Sequence, residues 1–131
     1  VMIQKLVARI NAARVRDGKY PIHFRIGVNS GSMLAGNMGS NERMQYTVVG
    51  ETVNLASRLH TVAAKDQIVI TEHLYNDSDI KWRILAHRHE SIKLRGIATA
   101  VSTYIVNDVS DSYRVTMEAQ IDNILSQKVV A

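Results

Sequence analysis

An asparagine and an arginine stand four residues apart, Asn54 and Arg58, inside Thr-Val-Asn-Leu-Ala-Ser-Arg at 52–58. At about 100° per residue they share a helix sector with Thr61 and Lys65, while Val53, Leu55, Ala56, Leu59, Val62 and Ala63 fill the opposite half. A fixed guanidinium donates two hydrogen bonds to a phosphoryl group whose oxygens gain charge as a transition state forms. The amide one turn earlier is neutral and both donates and accepts. A solvated polar helix face is the plain alternative, and for an isolated Asn/Arg pair it is the commoner one. His87 and His89 share a strand face, but without a third ligand nearby they read as surface histidines.

The elements that must hold this pair follow from periodicity. Val1 to Arg16 has helical apolar spacing (Ile3, Leu6, Val7, Ile10, Ala13), stopped by Gly18 and Pro21. No Ser, Thr, Asp or Asn precedes it as a cap, so a parent chain is expected to continue upstream. Ile22 to Ser30 alternates as a strand: Ile22, Phe24, Ile26 and Val28 form the core face, and His23, Arg25, Gly27 and Asn29 face away. Gly27 leaves room there for a closely approaching backbone or ligand. A strand over 32–35 and a return limb over 43–49 predict a hairpin, followed by the helix from Glu51 to Lys65. Met33, Met38 and Met44 read as core or interface filler. Gln67 to Ile70 is a short buried strand, with Thr71 capping a brief helix through Tyr75. Trp82 to Leu94 is strand with an internal bend, Val101 to Val106 a last strand, and Asp111 to Lys128 a second amphipathic helix.

The 131 residues make at most one domain, long enough for a core. The formal charge of +4 is scattered rather than clustered, and no groove-reading element appears, so a nucleic-acid partner is not expected. A modest basic excess also suits a polyphosphate substrate. Without cysteine, disulfides and thiolate metal sites are excluded, and a reducing, cytoplasmic setting fits. No apolar run reaches the roughly 18–20 residues that span a bilayer, so no membrane contact by this segment is expected, although a parent protein can itself be membrane-attached.

Four stretches resemble one family: Arg-Ile-Gly-Val-Asn-Ser-Gly at 25–31, Ala-Gly-Asn-Met-Gly at 35–39, Tyr-Thr-Val-Val-Gly-Glu-Thr-Val-Asn-Leu-Ala-Ser-Arg at 46–58, and Ile-Lys-Leu-Arg-Gly-Ile at 92–97. They are similar, in order and spacing, to the second half of the catalytic domain of class III nucleotidyl cyclases, the adenylate and guanylate cyclases. The resemblance implies an α/β (α+β) sandwich of the ferredoxin-like type, N-terminally truncated. Residues 1–108 would be a partial catalytic domain, and 109–131 a C-terminal amphipathic helix or extension. It also implies a homodimer with active sites at the interface, ATP as substrate, and two Mg²⁺ or Mn²⁺ ions whose ligands lie outside this chain.

Carried over residue by residue, the resemblance gives Arg58 the α-phosphate in the transition state and Asn54 the ribose. Thr47 stands where the base is selected; many adenylate cyclases have Asp there, and Thr resembles a subgroup often stimulated by bicarbonate. A hydroxyl accepts from adenine but also donates to a guanine carbonyl, and a β-propensity Thr in an exposed hairpin is the bland alternative. Arg25 matches a phosphate-binding arginine, with a cross-strand salt bridge as its alternative. Arg95 stands where relatives have a phosphate-contacting Lys; Arg keeps the charge with another geometry, and Lys93 is a substitute. The implied function is an adenylate cyclase catalytic fragment, inactive in isolation. The alternatives are a guanylate cyclase, or a cyclase-like module that binds nucleotide or a dimer partner without turnover.

Overall fold

A computed structural model describes residues 1–39, 42, 45–93 and 99–127. In chain order the elements are α1 (Met2–Arg16), β1 (Ile26–Val28), β2 (Leu34–Met38), β3 (Gln45–Val49), α2 (Glu51–Val62), β4 (Ile68–Thr71), α3 (Glu72–Tyr75), α4 (Ser78–Lys81), β5 (Ile84–Ile92), β6 (Val101–Val109) and α5 (Asp111–Ser126). The architecture is mixed α+β.

The run Ile68-Val69-Ile70-Thr71 is buried at every position, which marks a strand covered on both faces. It is an inner strand of a four-stranded sheet ordered β1-β4-β6-β5. β1 pairs parallel with β4 (Ile26 opposite Ile68, Val28 opposite Ile70), while β6 is antiparallel to both β4 and β5. A parallel pair needs a long crossover, and here the β2–β3 hairpin and α2 provide it. α2 covers one face, where Leu59 and Ala63 pack with Val69, Ile92 and Ile105. On the other face Ile68, Ile70 and Val106 meet Phe24, Ile26, Leu74 and Tyr104. The ring of Tyr104 stacks on Tyr75 with centroids 4.1 Å apart.

The C-terminal helix packs on this same body. Ile121 of α5 is fully buried, and Lys5 and Arg9 of α1 pair with Glu118 at 3.1 and 2.7 Å. Arg9 also bonds Asp122. These pairs are exposed or partly exposed, so they add little; the buried Ile121 is the larger anchor.

Several expected boundaries and faces need correction. The β1 ladder covers only Ile26–Val28, not 22–30, because the strand it pairs with, β4, is itself only four residues long. The room expected beside Gly27 is filled by the α2 backbone, a Cβ added there sitting 2.4 Å from the His60 amide nitrogen, while Arg25 on the same side stays exposed. Ile22 and Val28, assigned to the core, are exposed at 48% and 39%. α2 ends at Val62; Ala63 turns extended and Asp66 takes a left-handed φ of 62°. The hairpin's first strand begins at Leu34 rather than Ser32, and α4, with Asp77 Oδ1 accepting from the Asp79 amide, has no counterpart in the expected elements. Met33 is exposed at 45%, which removes the core half of its expected core-or-interface role; Met44 and the side chain of Met38 lie outside the described residues. β5 does bend, with register breaks at Leu85/Ala86 and His89/Ile92.

The turn after α2 carries an acid-sensitive tie. Partial desolvation alone would push the Asp66 carboxyl up. Hydrogen bonds from His23 and from the Phe24 amide, with the charges of His23 and Lys65, outweigh it and hold the pKa below the ordinary 3.8. A carboxylate depressed in the folded state adds stability above its unfolded pKa and loses it as pH falls through the folded value. Asp66→Asn is therefore expected to melt below the parent at pH 7, with the gap closing as pH drops below about 4. Thermal melts across that range check it; a constant gap would remove Asp66 from the acid response.

Candidate active site

α2 opens at Gly50, whose φ of 136° turns the chain out of β3, and no side chain caps the helix locally. Its first turn is held from neighbouring elements instead. Thr52 Oγ1 donates to the Ser32 carbonyl at 2.8 Å, and the Asn29 amide donates to the Thr52 carbonyl at 3.2 Å. The hydroxyl of Thr71, itself 1% exposed, donates to Asn29 Oδ1 at 2.9 Å. Gly31 is required beside this tie, since a Cβ there would meet Thr52 Oγ1 at 2.7 Å. Glu51 adds a carboxylate to the positive end of the helix.

The amphipathic division of α2 then places the candidate pair. Leu59 points into the sheet and is fully buried, which leaves Asn54 and Arg58 on the exposed side. Among the described residues no carboxylate or side chain hydrogen-bonds either group; at Arg58 only the backbone carbonyl is used, accepting from Thr61 Oγ1 at 2.7 Å. Among the described residues the guanidinium is thus a cation without a partner, one helical turn from an amide without one.

Thr47 sits in β3 opposite Gly36 and is half-buried. Gly36 has nothing within 4 Å of an added Cβ, so the hairpin face beside Thr47 is open. Arg25 is exposed and makes no cross-strand salt bridge among the described residues. With His23, Phe24, His60 and Lys65 it lines an open cavity of about 660 Å³ near the C-terminal end of α2. Lys65, expected on the Asn54/Arg58 sector, falls beyond the helix and joins this cavity instead. Arg95 lies outside the described residues; Lys93 is exposed.

Sequence patterning missed the Asn29–Thr52–Thr71 tie. Only Thr71 gave a signal, as the cap of α3, where its Oγ1 does accept from the Leu74 amide at 3.2 Å. Among the described residues no three His, Cys, Asp or Glu side chains converge to hold a metal, and His87 Nδ1 is paired with the Asn107 amide group at 3.0 Å. No described helix is long and apolar enough to cross a membrane.

Comparison with known proteins gives consistent matches. The family model for the adenylate and guanylate cyclase catalytic domain matches residues 2–108. Guanylate cyclase alpha of Plasmodium falciparum is 39% identical over 89 residues, 67% of this chain and 2% of that protein. Adenylate cyclase 1 of Rhizobium meliloti is 37% identical over 57 residues, 44% of this chain and 9% of that protein. The crystal structure of the adenylyl cyclase CyaB from P. aeruginosa superposes with a TM-score of 0.70 at 32% identity, covering 80% of this chain and 53% of that one. The guanylyl cyclase Cya2 structure gives 0.70 at 27% identity, with 84% and 55% covered. The chain thus spans about half of these solved structures and under a tenth of the curated relatives.

Proposed function

This chain belongs to the family of adenylate and guanylate cyclase catalytic domains, and we propose that within a complete domain it supplies one half of an adenylate cyclase active site. The observation that carries this reading is the Arg58 guanidinium one turn from the Asn54 amide, both without a side-chain partner among the described residues, on a helix packed on the sheet. In the reaction the ribose 3′-oxygen attacks the α-phosphorus of ATP in line. The 3′-hydroxyl gives up its proton to solvent, a new P–O bond closes 3′,5′-cyclic AMP, the bond from the α-phosphorus to the bridging oxygen breaks, and pyrophosphate leaves with that electron pair.

Arg58 meets the charge that grows on the α-phosphate oxygens, and Asn54 holds the ribose so that attack is in line. Arg25 takes terminal phosphate oxygens, helped by the cationic lining of its cavity, and Arg95 is assigned the same partner. Thr47 accepts from the adenine amino group. The two divalent metals and their carboxylates come from residues other than those described, across a homodimer interface, so the isolated chain is inactive. The helix α5 (Asp111–Ser126) acts as an extension appended to the catalytic fold.

A guanylate cyclase is the second reading, favoured by the guanylate cyclases among the relatives and by a Thr47 hydroxyl that also donates. A non-catalytic module has less support, since it places no demand on Asn54 and Arg58. The test is a product assay on the complete domain with ATP and GTP, Mg²⁺ or Mn²⁺, with and without bicarbonate. Cyclic AMP formed preferentially is expected. Preference for GTP would move the chain to the second reading, and nucleotide binding without product under every metal would make it a binding module. Bicarbonate stimulation would support the Thr47 subgroup.

A further inference from the structure

We propose that Asn29 is a positioning residue for this reaction: it sets the rotation of α2, and through it the aim of Asn54 and Arg58. The inference rests on the catalytic reading of that pair. α2 has no side-chain cap of its own, so its first turn takes its orientation from elsewhere. The Thr52 carbonyl can only accept, which requires the Asn29 NH₂ to face it and leaves Oδ1 for the Thr71 hydroxyl. Thr71 Oγ1 is in turn fixed by accepting from the Leu74 amide. Every polar atom in the relay has a partner, and it runs from a fully buried strand end, across β1, into the first turn of α2.

On the far side Thr52 Oγ1 holds the Ser32 carbonyl, at the start of the hairpin that carries Thr47. One asparagine therefore registers the base-reading hairpin, the ribose amide and the guanidinium against the sheet. Asn54 follows Thr52 by two residues and Arg58 by six.

The lever is short and sensitive. Side-chain tips lie roughly 5–6 Å from a helix axis, so a rotation of about 10° moves them by about 1 Å. A misplacement of about 1 Å can lower a rate on the order of 10²-fold. Helix packing alone does not exclude such a rotation, because apolar contacts through Leu55, Leu59 and Val62 are non-directional. The hydrogen bond to the Thr52 carbonyl is directional.

The test measures kcat and KM for the complete domain carrying Asn29→Ala, at a temperature well below its melting point. The expected result is a kcat lower by about 10- to 100-fold, with KM within about threefold. The same substitution in an Arg58→Ala background should lower kcat by a clearly smaller factor than in the parent, because one of the groups it aims is gone while Asn54 remains. An equal fall in both backgrounds, or no fall in the first, overturns the proposal; a simple loss of folded protein gives the equal fall. If Asn29→Ala does not fold, Thr71→Val against Thr71→Ser asks the same question, and a kcat no better with the retained hydroxyl overturns it. Arg58→Ala without effect on its own would instead sink the catalytic reading of Arg58, so the two failures are distinguishable.

Discussion

Arg58→Ala in the complete domain is expected to lower kcat by about 10²–10³, the loss typical of one preorganised donor to a developing oxyanion. That corresponds to roughly 2.7–4 kcal/mol of transition-state stabilisation. KM should move far less, because the guanidinium acts most strongly where charge appears only in the transition state. Stability should stay within about 0.5 kcal/mol, since the side chain is exposed and its guanidinium has no partner among the described residues. Arg58→Lys should recover only part of the rate: the charge returns but the two-pronged geometry does not. The interface site adds a second readout. An Arg58→Ala chain mixed with a full-length chain lacking its metal ligands can rebuild one intact site per mixed dimer, so partial activity should return. An unchanged rate removes Arg58 from the mechanism, and failure of every mixing ratio removes the shared site.

The parts of this site legible in the sequence are those written in local periodicity. The apolar half of α2 predicts that Leu59 is buried and that Asn54 and Arg58 are not, and the fold obeys because a helix rotates its residues on a fixed schedule. The unbroken apolar run at 68–70 likewise announces a strand buried on both sides. Alternation in β1 correctly separates Arg25 and Gly27 from Phe24 and Ile26, yet it is silent on which element covers each side. The backbone that comes close to Gly27 turns out to be that of α2. The Asn29 tie joins residues 23 and 42 positions apart, and no periodic signal encodes such a pairing. Lys65 left its predicted sector for a different reason: α2 stops three residues early, and Gln67 Oε1 accepts from the Ala64 amide at 2.9 Å in place of another helical turn.

Gly27→Ala should be the most damaging single-methyl change in the described part of the chain. An added Cβ would lie 2.4 Å from the His60 nitrogen, 2.5 Å from the Ala56 oxygen and 2.8 Å from Leu59 Cβ. The first two are backbone atoms, so no rotamer change relieves the overlap; α2 itself must shift by about 1 Å to restore normal contact. That shift loosens Leu59 and Ala63 from Val69 and Ile105. Overpacking of this kind typically destabilises by about 1–3 kcal/mol, and the upper end is expected because the obstacle is backbone. The reduced entropy of the unfolded alanine chain offsets only about 0.4–1 kcal/mol. A melting point lower by roughly 10 °C follows for a domain of this size. Gly36→Ala is the matched control, with nothing within 4 Å of its added Cβ, and should melt close to the parent. Equal melting of the two variants would mean that α2 does not rest on β1 at Gly27. Because the same helix carries Asn54 and Arg58, the folded fraction of Gly27→Ala should also turn over more slowly than the parent. The glycine therefore sets the seat of the catalytic helix as well as its stability.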